Sequence, residues 1–313
     1  VPERSGLRAA TEADLEAVGE ALGMSAPALT PALLEPGTRV LVGAVVGAEG
    51  QVVLLRRYRP DDATAEAVVV RRAGVPLDHP DVLAAAVGWG CQRVRHEASD
   101  RCVPVPAPSG GAPLAVRFVH LAALAATRVE TGPAQAARDV LGSLGLPVLD
   151  EGTGDPAMPG GRPWIALATR EAVAGVRPRV FSAALVHEGR PVAGLVADLS
   201  SGHRWSAVCS LGARRDGVPV RTRPGSARRR SGCTAVDLCL VADGAAAAWH
   251  DADRRGTTVH DVAGGLAVLL AAGGTALTHD GRPLSLRPDA GAPIRFVAAA
   301  DETTARGLLD ALG

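Results

Sequence analysis

The run from Val259 to Gly274 constrains this chain more than any other. It reads as a helix that is apolar almost all the way round, and a helix without a polar stripe has to be enclosed by other elements. Gly273 and Gly274 stop it, because glycine takes the left-handed cap with no Cβ to clash. Asp261 stands in or next to the first turn, where a carboxylate satisfies free N–H groups and meets the positive end of the helix dipole. Asp261 is then either an ordinary cap on a core helix or an acid facing a cation or phosphate site at the helix mouth. The chain has 313 residues, enough for two domains or one large one to wrap around that helix.

Composition excludes several classes. Thirty-three basic residues, all arginine, balance 33 acidic ones, so no net field favours nucleic acid or a membrane surface. The apolar share of 47% is ample for a core, yet no apolar run approaches the length of a membrane span. Val1–Gly6 lacks the apolar segment of a signal peptide. The cysteines Cys91, Cys102, Cys209, Cys233 and Cys239 are widely spread, with no Cys-x-x-Cys pair. That speaks against a zinc site or a disulfide framework and makes a reducing cytoplasm the expected location. The histidines show no His-x-x-x-His spacing, and the chain has no Gly-x-Ser-x-Gly elbow, P-loop or dinucleotide glycine pattern. The expected ligand is a small molecule.

In the first part of the chain, Thr11 caps an amphipathic helix carrying Leu15, Val18 and Leu22, which Gly23 ends. Arg39–Val46 and Gln51–Pro60 are β-branched runs around a glycine turn, a hairpin. Arg57-Tyr58-Arg59-Pro60, then Val68–Pro76 with its Ala73-Gly74 turn, then Ala84-Ala85-Ala86-Val87 resemble the Nudix hydrolases of the ADP-ribose pyrophosphatase type, over roughly residues 38 to 125. The resemblance implies a Nudix-like α/β/α sandwich with Arg57 and Arg59 as ligand-binding residues. In that family, glutamates on one helical face hold Mg²⁺ against a diphosphate. Counted from Gly74, their positions fall on Pro80, Gly88, Trp89, Gln92 and Arg93, none of them acidic. The expectation is a Nudix shell without its metal site.

Leu114–Leu121 reads as a strand, or as a strand leading into a helix, with His120 a packed residue. A domain boundary is expected near residue 126, dividing residues 1–125 from 126–313. Pro133 opens a helix with Ala137, Val140, Leu141 and Leu144 on one face and Gly145 as its stop. Phe181–Val186 and Pro191–Asp198 form a hairpin around Gly189-Arg190. Ser231–Gly244 reads as a helix start running into a strand end, and Thr275–Leu284 as a strand, a tight Asp280-Gly281 turn and a return. An Ile294–Ala299 strand and a Glu302–Leu312 helix follow, while the arginines between 221 and 230 read as a solvated loop.

These C-terminal stretches resemble the inositol monophosphatase family, with its Gly-Ser-Ala-Ala-type helix start, Val-Ala-x-Gly strand end and Trp-Asp-x-Ala-Ala-Gly helix. His260 stands in the place of that tryptophan and Asp261 keeps the acid, which in the family binds a catalytic Mg²⁺. Asp150-Glu151 occupy the place of a metal-binding Glu-Glu pair. After Trp164-Ile165 the family continues with x-Asp-Pro-x-Asp-Gly-Thr. Here Leu167 and Arg170 replace the two aspartates, and Glu171 replaces the glycine of the phosphate cradle. The resemblance implies a truncated inositol-monophosphatase-like layered αβ domain, so the expected fold class is α/β and α+β.

It also implies a residual metal set of Glu151, Asp150 and Asp261, with Arg170 as a further ligand-binding residue. An Arg170 guanidinium is expected to pair with Glu151 or Asp261 and replace the cation's charge. Three functions follow. The first is an inactive pair of hydrolase shells that binds a phosphorylated or polyhydroxylated metabolite or a protein partner. The second is a metal-independent biosynthetic enzyme using Arg170, Glu171 or His260. The third is a Mg²⁺-dependent phosphomonoesterase acting on a sugar or inositol phosphate. Mg²⁺ is expected only under the third, with no other cofactor, and a homodimer is the default assembly because the family often dimerises.

Overall fold

The computed structural model describes residues 8–9, 14, 18, 39–44, 51–59, 64–69, 77–88, 91, 93–96, 101–105, 113–131, 133–150, 161–170, 179–224, 231–251, 257–288 and 293–312. Six strands pair in chain order: β1 (Arg8–Ala9), β2 (Arg39–Ala44), β3 (Gln51–Arg59), β4 (Thr64–Val69), β5 (Arg93–His96) and β6 (Cys102–Pro104). The expected hairpin is β2–β3, with Val42 opposite Val53. Only β4 and β5 run parallel, since the connection between them carries α1 (Pro80–Gly88) back over the sheet. Leu54, Val69, Val82, Ala86 and Val94 form the core beneath α1.

Pro80 and Gly88 are the two ends of α1, and Arg93 already belongs to β5. Trp89 and Gln92 lie outside the described residues, as does most of the helix expected after Thr11.

α2 (Leu114–Thr131) corrects one expectation. Leu114–Leu121 is the first half of a helix, because Phe118, Ala122, Ala125, Ala126 and Val129 recur at helical spacing and are all buried. The short apolar run at its start was ambiguous by itself, and the period becomes clear only over the longer segment. Residue 126, near which the boundary is expected, lies inside this helix.

His120 on α2 is buried, and loss of hydration lowers its pKa below the ordinary 6.5. The folded state then binds the proton less well than the unfolded one. The stability involved is fully present above the unfolded-state value and is lost as the pH falls through it. The melting temperature is expected to drop between about pH 7.5 and about pH 5.5, less steeply in His120→Leu. An identical slope in the variant would assign the effect to another group.

α3 (Gln135–Gly142) follows, with Gly145 beyond it at a φ of 69°. A seven-stranded sheet then forms in sequence order from β7 (Val148–Leu149), β8 (Trp164–Arg170), β9 (Val180–His187), β10 (Arg190–Asp198), β11 (Arg204–Val208), β12 (Gly212–Arg215) and β13 (Val218–Val220). Its central strands are mostly apolar because both faces are covered. Phe181, Ala183, Leu185 and Leu195 pack toward α2 and α3. Val180, Ala184, Val186 and Val196 pack toward α4 (Thr234–Ala242) and α5 (Val259–Ala271). Beyond these helices lies a sheet of β14 (Ala248–His250), β15 (Thr275–Thr278) and β16 (Phe296–Ala299), in the order β14-β16-β15. It is backed by α6 (Glu302–Leu312) through Ala305 and Leu308. The result is a mixed α/β stack of α–β–α–β–α layers.

Local chemistry explains the remaining departures. The β9–β10 turn is Glu188-Gly189 rather than Gly189-Arg190, with φ of 50° and 75°, as a type I′ hairpin requires. α4 continues to Ala242, so the expected strand end there is a helix end, closed by Gly244 at a φ of 77°. It lies almost wholly in the core and therefore has the composition of a central strand. The return after Asp280-Gly281 makes only a single bridge, Leu277 to Pro283, and β15 pairs with β16 instead.

Two features hold the layers in place. The first is close backbone approach at α5. A Cβ on Gly265 would sit 2.6 Å from the Ala235 carbonyl oxygen of α4, and one on Gly194 of β10 would sit 2.5 Å from the Ala267 Cβ of α5. The second is Arg204, 1% exposed. Its Nη1 donates to Ala123 O and its Nη2 to Thr127 Oγ1, both at 3.1 Å, and Nη2 also bonds Glu130. These bonds fasten the second half of α2 onto β11.

Candidate functional site

β8 ends where α5 begins, so the last strand residue meets the positive end of a helix. Arg170 lies opposite Val180 in register, on the sheet face that α5 covers. Its Nη2 and Nε donate to Asp261 Oδ1 at 2.7 and 2.9 Å. The other carboxylate oxygen accepts from Thr258 Oγ1 at 2.9 Å and from Thr257 Oγ1 at 3.5 Å. Thr258 is the N-cap residue, but its hydroxyl turns to Asp261 and makes no cap bond. The side chains of Arg170 and Asp261 are 24% and 18% exposed, so solvent only partly screens the pair.

Cys233, the N-cap residue of α4, lies within the field of this pair. Burial raises its thiol pKa; the Asp261 and Asp237 carboxylates add to the rise, while the N–H groups of Val236 and Ala235 oppose it. Asp237 is itself buried and accepts the Ser231 N–H.

Among the described residues, those around Asp261 do not supply the octahedron of oxygens that Mg²⁺ takes. One oxygen of Asp261 is covered by the guanidinium and the other by hydroxyls. Among the described residues, no group of three or more His, Cys, Asp or Glu is arranged to hold a metal ion. Asp150 is paired with Arg138 and lines, with Leu167 and Thr169, a cavity of about 210 Å³. Leu167 lies in the core shared with α2 and α3, on the opposite side of the sheet from Arg170. The structure thus brings Arg170 and Asp261 together and leaves Asp150 and Leu167 elsewhere.

Glu151 and Glu171 lie outside the described residues, and Arg57 and Arg59 are described only as positions on β3, opposite Glu66 and Thr64. His260 is 1% exposed. Sequence reading missed the hydroxyls of Thr257 and Thr258. The signal was available, since a threonine three residues before an acid at a helix start is a capping pattern.

The segment beginning at the end of β13 carries Asp261 and every element after it. Residues 220–312 match the inositol monophosphatase family. The match to that family is confined to this C-terminal part of the chain. No curated protein matches the chain. Among solved structures, the extragenic suppressor from Pyrococcus furiosus is 16% identical, with a TM-score of 0.48 over 56% of this chain and 82% of that one. The inositol monophosphatase from Anabaena is 19% identical, with a TM-score of 0.47 over 62% and 92%. That from Zymomonas mobilis is 20% identical, with a TM-score of 0.47 over 57% and 80%. Among the described residues, no helix is long and apolar enough to cross a membrane.

Proposed function

We propose that the C-terminal region is a phosphatase shell in which Arg170 stands for the cation beside Asp261. In this reading it binds a small phosphorylated or polyhydroxylated metabolite, or a protein partner, without Mg²⁺-assisted hydrolysis. The bond from Nη2 and Nε of Arg170 to one oxygen of Asp261 carries the reading. A cation entering there would have to displace a fixed positive charge and strip two hydroxyls from the other oxygen. A guanidinium also cannot lower the pKa of a bound water as a metal ion does. The first sheet enters the proposal as a Nudix-like shell that lacks metal-binding acids at its counted positions. The protein acts in the cytoplasm, with a homodimer as the default assembly.

Calorimetric titration of the whole chain with MgCl₂ is the test. The expected result is no saturable heat, together with no Mg²⁺-dependent phosphate release from a panel of inositol and sugar phosphates. Tight, stoichiometric Mg²⁺ uptake would overturn the proposal. The family match over residues 220–312 and the retained Asp261 favour the Mg²⁺-dependent phosphomonoesterase as the second reading. Turnover of one panel member that requires the metal would establish it.

A further inference from the structure

On the face of the seven-stranded sheet opposite the Arg170–Asp261 pair, a cleft of about 400 Å³ opens between the layers. Its floor is Ser206 and Val208 of β11 and Arg214 of β12, with Ser206 directly opposite Arg214 in register. Its roof is Val87 of α1 with Val116 and Val119 of α2. The space has a structural cause. α2 is fastened to β11 through Ala123, Thr127 and Glu130, all beyond its midpoint. α1 meets the β12–β13 turn, where a Cβ on Gly217 would lie 3.0 Å from Ala85 Cα. Between these two attachments the sheet is left uncovered.

The chemistry of the cleft is that of a receptor for a small amphiphile. Its size falls within the usual range for small-molecule sites, about 300–1,000 Å³, and its walls are mainly apolar. Arg170, Arg204 and Arg215 each hold an acid. Arg214 differs: its Nη1 donates to Gly217 O at 2.8 Å, and among the described residues no carboxylate meets it. That single bond fixes the guanidinium and leaves its other donors available beside the Ser206 hydroxyl. Leu211, 72% exposed, adds apolar surface at the rim.

We propose that this cleft binds a small monocarboxylate with a short apolar tail. The head group lies on Arg214 and Ser206, and the tail lies between Val87, Val116 and Val119. A guanidinium offers a planar fork that matches a carboxylate in shape and in charge. A phosphate dianion would leave its second charge uncompensated against apolar walls. The site shares no residue with the Arg170–Asp261 pair and does not depend on the function proposed above.

The test is amide NMR of the full chain titrated with hexanoate and, separately, with 1-hexanol. Saturable hexanoate shifts are expected at Ser206–Val208 and Gly212–Arg214, with hexanol at least about tenfold weaker. Arg214→Gln should weaken hexanoate by about tenfold or more and leave hexanol unchanged. Val116→Trp should fill the cleft and abolish both. If that variant does not fold, Arg214→Gln decides alone, because its side chain is only partly buried and, among the described residues, holds no acid. Absence of saturable shifts, equal binding of hexanoate and hexanol, or an Arg214→Gln protein that binds hexanoate normally would each overturn the proposal. Inorganic phosphate producing the same shifts at lower concentration would overturn the assignment to a carboxylate.

Discussion

Replacing Glu130 with alanine is expected to lower the stability of this protein by about 3–5 kcal/mol. Arg204 and Glu130 have side chains only 1% and 12% exposed. Without the glutamate, the guanidinium keeps the Ala123 carbonyl and the Thr127 hydroxyl, both neutral, and loses its counter-charge inside the protein. The cost is therefore that of an uncompensated interior cation and exceeds the worth of one hydrogen bond. Urea unfolding reads it as a lower midpoint with an unchanged m-value. Changing both partners, Glu130→Leu with Arg204→Met, should recover most of the loss, since a buried pair often does no better than apolar residues of the same volume. A loss below about 1 kcal/mol in the single variant would mean that water reaches the guanidinium.

The second large effect is a contrast in sign between two glycines in helices. Gly307→Ala in α6 is expected to stabilise by about 1 kcal/mol, the ordinary helix-propensity gain. A Cβ there meets nothing within 4 Å. Gly265→Ala in α5 makes the same propensity gain, but the new carbon would lie 2.6 Å from the Ala235 carbonyl oxygen and 2.9 Å from the Leu238 Cβ. A backbone oxygen cannot swing aside, so α4 and α5 must separate. Overpacking of this kind costs about 1–3 kcal/mol, and the net change is destabilising. Thermal unfolding of the two variants side by side measures both. If both rose in melting temperature, α4 and α5 would be shown to part freely.

Much of the second half was legible because its local signals agree. The Glu302–Leu312 helix has an acid at its start and apolar residues at helical spacing, and the structure places it there. The β9 and β10 strands are long apolar runs around a glycine turn. The resemblance implied a pairing of Arg170 with Glu151 or Asp261, and Arg170 bonds Asp261. What escaped is what tertiary packing decides. Alternation along β11 puts Arg204 on the face opposite Trp205, which ordinarily means solvent, and nothing local reveals that α2 covers that face. Asp243, which accepts Trp205 Nε1 and Arg215 Nη1, reads in the sequence as part of a strand end. Gly264 and Gly265 look like weak points in a helix until the neighbours they admit are known. Leu114–Leu121 contains too few residues to distinguish strand from helix, and only its continuation to Val129 resolves it.

The family-matched stretch, residues 220–312, is not a unit that can be cut out. It contains α4, α5 and α6 but lacks β9 and β10, on whose backbone the glycine side of α5 rests through Gly264, Ala267 and Gly194. An excised fragment would show that side to water and would collapse or aggregate. In the intact chain, the α5 amide protons can exchange with solvent only when the whole assembly opens, so they report the global unfolding free energy.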